Sequence, residues 1–342
     1  MNRANNTMNH PASISNKKKF VITNTMGALI AIIVFSILLS FLSEKFLSVD
    51  NFIAVSRICS ITILVGLSQM VVMAGGGMNV SVGAIGGLAA VVAGAFMQRA
   101  NIPWGIAIIL ALCAGALTGF INGIIIAKLG GTGEISWLTT LATASVFTGL
   151  SLGITHAKPF YNLPKGYVWI GTYNIAGILS VMLVIVLIFA LLIWAMFKFT
   201  SFGRQILAIG GNQNAAILSG IKVNKVLIFK HMTSAILAAS AGILFSTRLG
   251  SINPDIGGDW MLFSFAAPLI GGVRMNGGQV NVWGAVLGGV ILSLVSNGVV
   301  HMQINIYLVE LMQGLIILLA VGMDRIRAIR EEKHERLERS SI

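Results

Sequence analysis

The chain has 342 residues, 56% of them hydrophobic and only 10% charged, with a mean hydropathy of +0.88. Soluble domains carry about 25% charged residues, so a water-facing globular surface is excluded and no length remains for a separate soluble domain. The formal charge of +12 does not indicate nucleic acid, because the basic residues stand at the ends of apolar runs and not along one polar face.

Crossing about 30 Å of hydrocarbon takes about 20 apolar residues in a helix. Residues 1–19 form a polar tail that closes on Lys17, Lys18 and Lys19. The apolar run behind it, 20–42, is longer than the roughly 7–15 residues of a secretory signal core and has no clear A-x-A site, so it is read as a retained first span. Further runs follow at 54–74, 83–98, 104–127, 135–155, 177–197, 226–247, 260–272, 282–300 and 304–323. The pattern predicts an all-α integral membrane protein with about ten transmembrane helices, some of them interrupted. The permease domain occupies 20–323 and is followed by a charged tail, 324–342. Arg57 and Lys230 stand near span ends and Glu310 lies inside the last span. Cys59 and Cys113 both fall in apolar segments, where packed thiols are expected and a disulfide framework is not.

An N-terminus in the cytoplasm and ten crossings place Arg3, Lys17, Lys18, Lys19, Lys128, Lys198, Arg204, Lys222, Lys225, Lys230, Arg274 and the tail bases on the cytoplasmic side. The positive-inside rule then makes both termini cytoplasmic. On the outside, the longer connections are 156–176 and 248–259. On the inside, the segment 198–225 is polar and basic and contains no acid, and it is expected to dock a cytoplasmic partner.

Three segments do not read as plain lipid-spanning helix. Gly75-Gly76-Gly77-Met78-Asn79-Val80-Ser81-Val82-Gly83 cannot be a comfortable helix interior, since each glycine costs about 1 kcal/mol against alanine. A break within the membrane must face protein or a water-filled cavity, so Asn79 and Ser81 are expected to line a pathway; a tight turn near the surface is the bland alternative. Gly271-Gly272-Val273-Arg274-Met275-Asn276-Gly277-Gly278, after Pro268, interrupts a second run and adds Asn276 to the lining candidates. Paired interruptions in the two halves of a transporter point to a site between repeats. The third segment is Gly211-Asn212-Gln213-Asn214-Ala215-Ala216-Ile217-Leu218-Ser219-Gly220-Ile221. Here Asn212 is expected to cap a short helix running through Ser219, and Gly220 to end it.

These three segments, and the chain from about 25 to 325, resemble the permease subunits of bacterial ATP-binding cassette importers for sugars of the ribose and autoinducer-2 type. Gly77 to Ala84 matches that family's G-x-D-L-S-V-G-S segment. Gly211 to Ile221 matches its G-x-N-x-x-A-A-x-x-S-G-I loop, and the pairs Gly271-Gly272 and Gly277-Gly278 match its G-G-x-x-x-x-G-G turn. The resemblance implies an ATPase-coupling loop carried by Asn212, Asn214, Ala215, Ala216, Ser219 and Gly220. It also implies a cytoplasmic ATPase partner, a second permease copy or paralogue, and a periplasmic solute-binding protein, in a multi-pass protein of the bacterial inner membrane. The binding protein is expected near 161–169 and 253–260. Departures are Asn79 where the family has aspartate, Asn214 where it often has glutamate, and Gln313 where it has lysine, with Glu310 one turn earlier.

The chain has no G-x-x-x-x-G-K-[ST], so no cofactor site is expected in it: ATP is used by the partner subunit and this chain is not itself an enzyme. No His, Cys, Asp or Glu cluster has metal-ligand spacing. Two other readings are an ion-coupled secondary carrier, supported by Glu310 alone, and an amino-acid permease of the same superfamily.

Overall fold

The computed structural model describes residues 24–302 except Thr132, together with helical positions 308, 311, 314, 315, 318 and 322. The tails 1–19 and 324–342 lie outside the described residues, as do Tyr307, Glu310 and Gln313 in the last predicted span. Nine of the ten apolar runs are helices: α1 (Asn24–Leu42), α2 (Val49–Ala74), α3 (Val82–Gln98), α4 (Trp104–Lys128), α5 (Glu134–Thr155), α7 (Val181–Phe199), α10 (Val223–Leu249), α11 (Trp260–Ile270) and α12 (Val282–His301). Seven of these are long and apolar enough to cross a membrane; α3 and α11 are shorter. Between them lie α6 (Lys165–Thr172), a hairpin of β1 (Asn174–Ile175) and β2 (Leu179–Ser180), α8 (Ser201–Gly211) and α9 (Gln213–Leu218). The hairpin, two residues to a strand, is a small departure from an all-helical chain.

α2 begins five residues before its apolar run. Ser48 caps it by accepting from Asn51 N at 3.2 Å, and Asp50 stands in the first turn, where a negative charge favours the helix dipole. Arg57 therefore lies two turns inside the helix. Its guanidinium donates to Thr172 O at 2.6 Å and Asn174 Oδ1 at 3.1 Å, tying the 156–176 connection to the bundle.

Within the most apolar 18 residues of each helix, 89% are buried in α2, 78% in α12 and 72% in α10 against 11% in α1, so the first three form the centre of the bundle. Without a hydrophobic drive between helices in lipid, close packing depends on small residues. On α4, Gly115, Gly119 and Gly123 form one stripe against Ala239, His231–Met232 and Ile228 of α10; a Cβ at Gly123 would lie 2.5 Å from Ile228 Cα. Phe160 and Ile252 pair as an antiparallel bridge at the end of the bundle that carries α6. The other end collects the C-termini of α2, α4 and α7, the N-termini of α5, α10 and α12, and both α8 and α9.

Candidate functional site

The break between α2 and α3 begins at the glycine triplet. Gly76 takes φ +70°, which ends α2, and residues 75–81 are non-helical. The backbone groups released there find side-chain partners from three helices, α2, α5 and α10. Ser136 Oγ of α5 accepts from Met78 N at 3.3 Å and donates to Met78 O at 2.7 Å, and Thr140 Oγ1 accepts from Val80 N at 3.0 Å. Gln69 Oε1 of α2 accepts from Asn79 N at 3.3 Å. Such a break is tolerated in a membrane only when its polar backbone is satisfied by protein or water.

Asn79 and Ser81 are fully buried. Asn79 Oδ1 accepts from Ser81 N at 3.0 Å and from Ser81 Oγ at 2.7 Å, while Asn79 Nδ2 donates to Ser234 Oγ of α10 at 3.0 Å. Asn122 Nδ2 of α4 donates to Ser81 Oγ at 2.9 Å. In this arrangement both side chains join the break to α4 and α10. Two neighbouring atoms, Gln69 Nε2 and Asn122 Oδ1, are buried without a hydrogen-bond partner. An unsatisfied buried polar atom costs about 1–3 kcal/mol, which lowers the energy needed to leave this arrangement.

Lys230 is the principal site residue that the sequence reading placed elsewhere. It is fully buried two turns inside α10, and its ammonium donates to Gly75 O at 3.0 Å and Val72 O at 3.5 Å. A cation on the last carbonyls of α2 complements the negative end of that helix dipole. The available signal was an ionisable residue flanked by Phe229 and His231 in an otherwise uncharged run. Ser136 and Thr140 had a signal as well, since an i, i+4 pair occupies one helix face.

The three segments singled out in the sequence meet at one junction. Gly278 N donates to Ala74 O at 3.0 Å, joining the 271–278 turn to the end of α2, and Gly133 N donates to Gly76 O at 2.8 Å. Gly210, near the end of α8, touches both partners of the first bond: a Cβ there would overlap the Ala74 carbonyl and lie 2.5 Å from Gly278 N. Gly277 is equally close to Gly76, with φ +82°. Asn276 is exposed at this junction, with its carbonyl beside Gly76.

The segment 198–225 forms two helices. Thr200 caps α8 by accepting from Gly203 N at 3.1 Å, and Asn212 caps α9 by accepting from Ala215 N at 3.0 Å. Gly220, at φ +80°, ends the turn after α9, and its N–H donates to Ile217 O at 2.9 Å. Ser219 Oγ donates to Ala215 O at 2.8 Å. Ala216 is buried and anchors α9, whereas Asn214 and Ala215 are exposed. Ile217 is 52% and Leu218 88% exposed, giving α9 an uncovered apolar edge, the type of feature that marks a protein contact. No group of three His, Cys, Asp or Glu with metal-binding geometry occurs among the described residues.

Comparison with known proteins places this chain among transport proteins. Residues 51–321 match the family described as branched-chain amino acid transport system / permease component. The ribose import permease protein of Haemophilus influenzae is 32% identical over 300 residues, which cover 86% of this chain and 91% of that protein. The ribose import permease protein of Bacillus subtilis is 33% identical, covering 88% and 92%. The D-allose transport system permease protein of Escherichia coli is 31% identical, covering 83% and 86%. No solved structure matches.

Proposed function

The chain belongs to the branched-chain amino acid transport system / permease component family, and from that premise we propose that it is the translocation subunit of an ATP-binding cassette importer for a sugar. The sugar assignment draws on relatives named for ribose and D-allose. The observation that carries the coupling is the junction: a short helix with an exposed apolar edge leads, through Gly210, onto both interrupted segments at once.

In this reading the protein has about ten spans in the inner membrane, with both termini cytoplasmic. A separate ATPase binds α9 through Ile217, Leu218 and the exposed side of Asn214 and Ala215. A second permease, identical or paralogous, shares the vestibule, and a periplasmic binding protein docks at the opposite end, near 161–169 and 253–260. The chain hydrolyses no ATP itself.

The mechanism is alternating access driven through the junction. The Asn212 cap keeps α9 folded, so a pull from the ATPase moves α9 and α8 together. Gly210 has no clearance against Ala74 and Gly278, so α8 cannot shift without moving the end of α2 and the 271–278 turn. Lys230 and the Asn79–Ser81–Ser234 bonds extend that shift to α10 and α4. The relatives are importer permeases, which does not favour the ion-coupled carrier. An amino-acid cargo is separated from a sugar by assay. The permease, its ATPase and its binding protein in proteoliposomes should accumulate a monosaccharide in an ATP-dependent manner; accumulation of L-leucine and of no sugar would overturn the assignment.

A further inference from the structure

The geometry points to a monosaccharide subsite inside a single copy of this chain, in a cavity of about 140 Å³ between α2, α10, α11 and α12. This rests on the sugar-importer reading above. An apolar cavity of about 150 Å³ takes up benzene, so this space receives the ring face of a monosaccharide and leaves part of its hydroxyl rim at the mouth beside Asp259. Three of the enclosing helices, α2, α10 and α12, are the central, largely buried ones, and the cavity opens beside Asp259, which is exposed.

The lining combines aromatic rings with ionised groups. Phe245, Trp260 and Phe263 supply the rings, and Arg248, Asp259 and Ser296 supply polar groups. Trp260 is buried, held edge-on to Phe245 with ring centroids 5.7 Å apart, and a Cβ at Gly86 of α3 would come within 2.8 Å of its ring. Packing against Phe245 and α3 therefore fixes its position. A sugar ring presents a C–H face that packs on aromatic rings and a rim of hydroxyls that both donate and accept. A carboxylate accepts from such hydroxyls and a guanidinium donates to them in charge-assisted bonds. Ligand sites commonly have this form, mostly apolar with a few placed polar groups. An arginine within a span belongs where it meets water or a polar partner, and a lipid tail would offer it neither.

Position agrees with chemistry. Arg248 is one residue from the end of α10 and Trp260 is the first residue of α11, at the end of the bundle opposite α8 and α9. That end is where a binding protein would release its solute. The site adds an intrachain stop to the pathway, separate from a vestibule shared with a second permease.

The test uses Ser296→Cys in the full chain with Cys113→Ser, since the remaining Cys59 is buried. The assembled importer is kept in native membrane vesicles. Maleimide labelling is timed with D-ribose, D-allose, D-galactose or L-leucine present, and uptake is measured in the same vesicles. At least one sugar should slow labelling, by about tenfold at roughly ten times its dissociation constant. Arg248→Met should remove that protection, judged against the same variant's own labelling rate without sugar. A sugar that accumulates in the vesicles yet leaves labelling unchanged overturns the subsite while sparing the importer reading. Protection by leucine alone, or a Cys at 296 that never labels, overturns it too. If no sugar accumulates or protects, both fall together.

Discussion

Adjacent glycines at the end of α8 provide a sharp test of the junction. A Cβ at Gly210 would overlap Ala74 O and lie 2.5 Å from Gly278 N, whereas a Cβ at Gly211 has nothing within 4 Å. Carbon contacts are comfortable at about 3.5–4.0 Å, so Gly210→Ala forces α8 back by roughly 1 Å. Overpacking of this kind costs about 1–3 kcal/mol. The intruding methyl also weakens the Gly278 N to Ala74 O bond, a loss of about 0.5–1.5 kcal/mol. A shift of about 2 kcal/mol in the coupled equilibrium lowers the competent population about 30-fold. Gly211→Ala gains helix propensity instead, at most about 1 kcal/mol. The assay is ATP-dependent uptake in proteoliposomes containing the complete importer, with permease insertion and ATPase binding measured alongside. Gly210→Ala should bind the ATPase and fail to transport, while Gly211→Ala transports normally. Equal uptake by the two variants would refute rigid coupling through Gly210.

Three further outcomes follow from the same geometry. Gly220→Pro cannot adopt φ +80° and loses the N–H bonded to Ile217 O, so uptake should be abolished while membrane insertion, checked by fractionation, is retained. Asn212→Ala removes the cap on α9, worth about 0.5–2 kcal/mol, and should weaken ATPase binding; Asn212→Ser should restore most of it in the same titration. Lys230→Met leaves Gly75 O without its buried donor and should cost about 1–3 kcal/mol, seen as a lower melting temperature of the detergent-purified protein.

The seven helices long and apolar enough to cross a membrane were legible because hydrocarbon thickness imposes a length that a run of uncharged residues reveals directly. Their ends were less so. α2 starts at Val49 because Ser48, Asp50 and Asn51 make a good helix N-terminus, yet the same residues look like loop when only apolarity is scored. The cap at Asn212 and the stop at Gly220 were legible too, being local chemistry confined to nine residues. The meeting of Gly76, Gly210 and Gly277 was not, since these contacts join residues far apart in the chain and glycine leaves no side-chain pattern to read. Lys230 was hidden for a different reason. A lysine four residues into an apolar run reads as an interfacial charge, and only the position of the end of α2 turns it inward as a cap. Arg57 was hidden by the late start assigned to its helix.

The central claim is that a separate ATPase drives this chain through α9. The most direct measurement is purification of the tagged protein from its native membranes in mild detergent, as wild type and as Leu218→Glu. The substituted side chain is 88% exposed, so the change should leave the fold intact. The account predicts a stoichiometric cytoplasmic ATPase with the wild type and its loss from Leu218→Glu. A wild-type chain that purifies without an ATPase, under conditions that keep a known importer assembled, would contradict it.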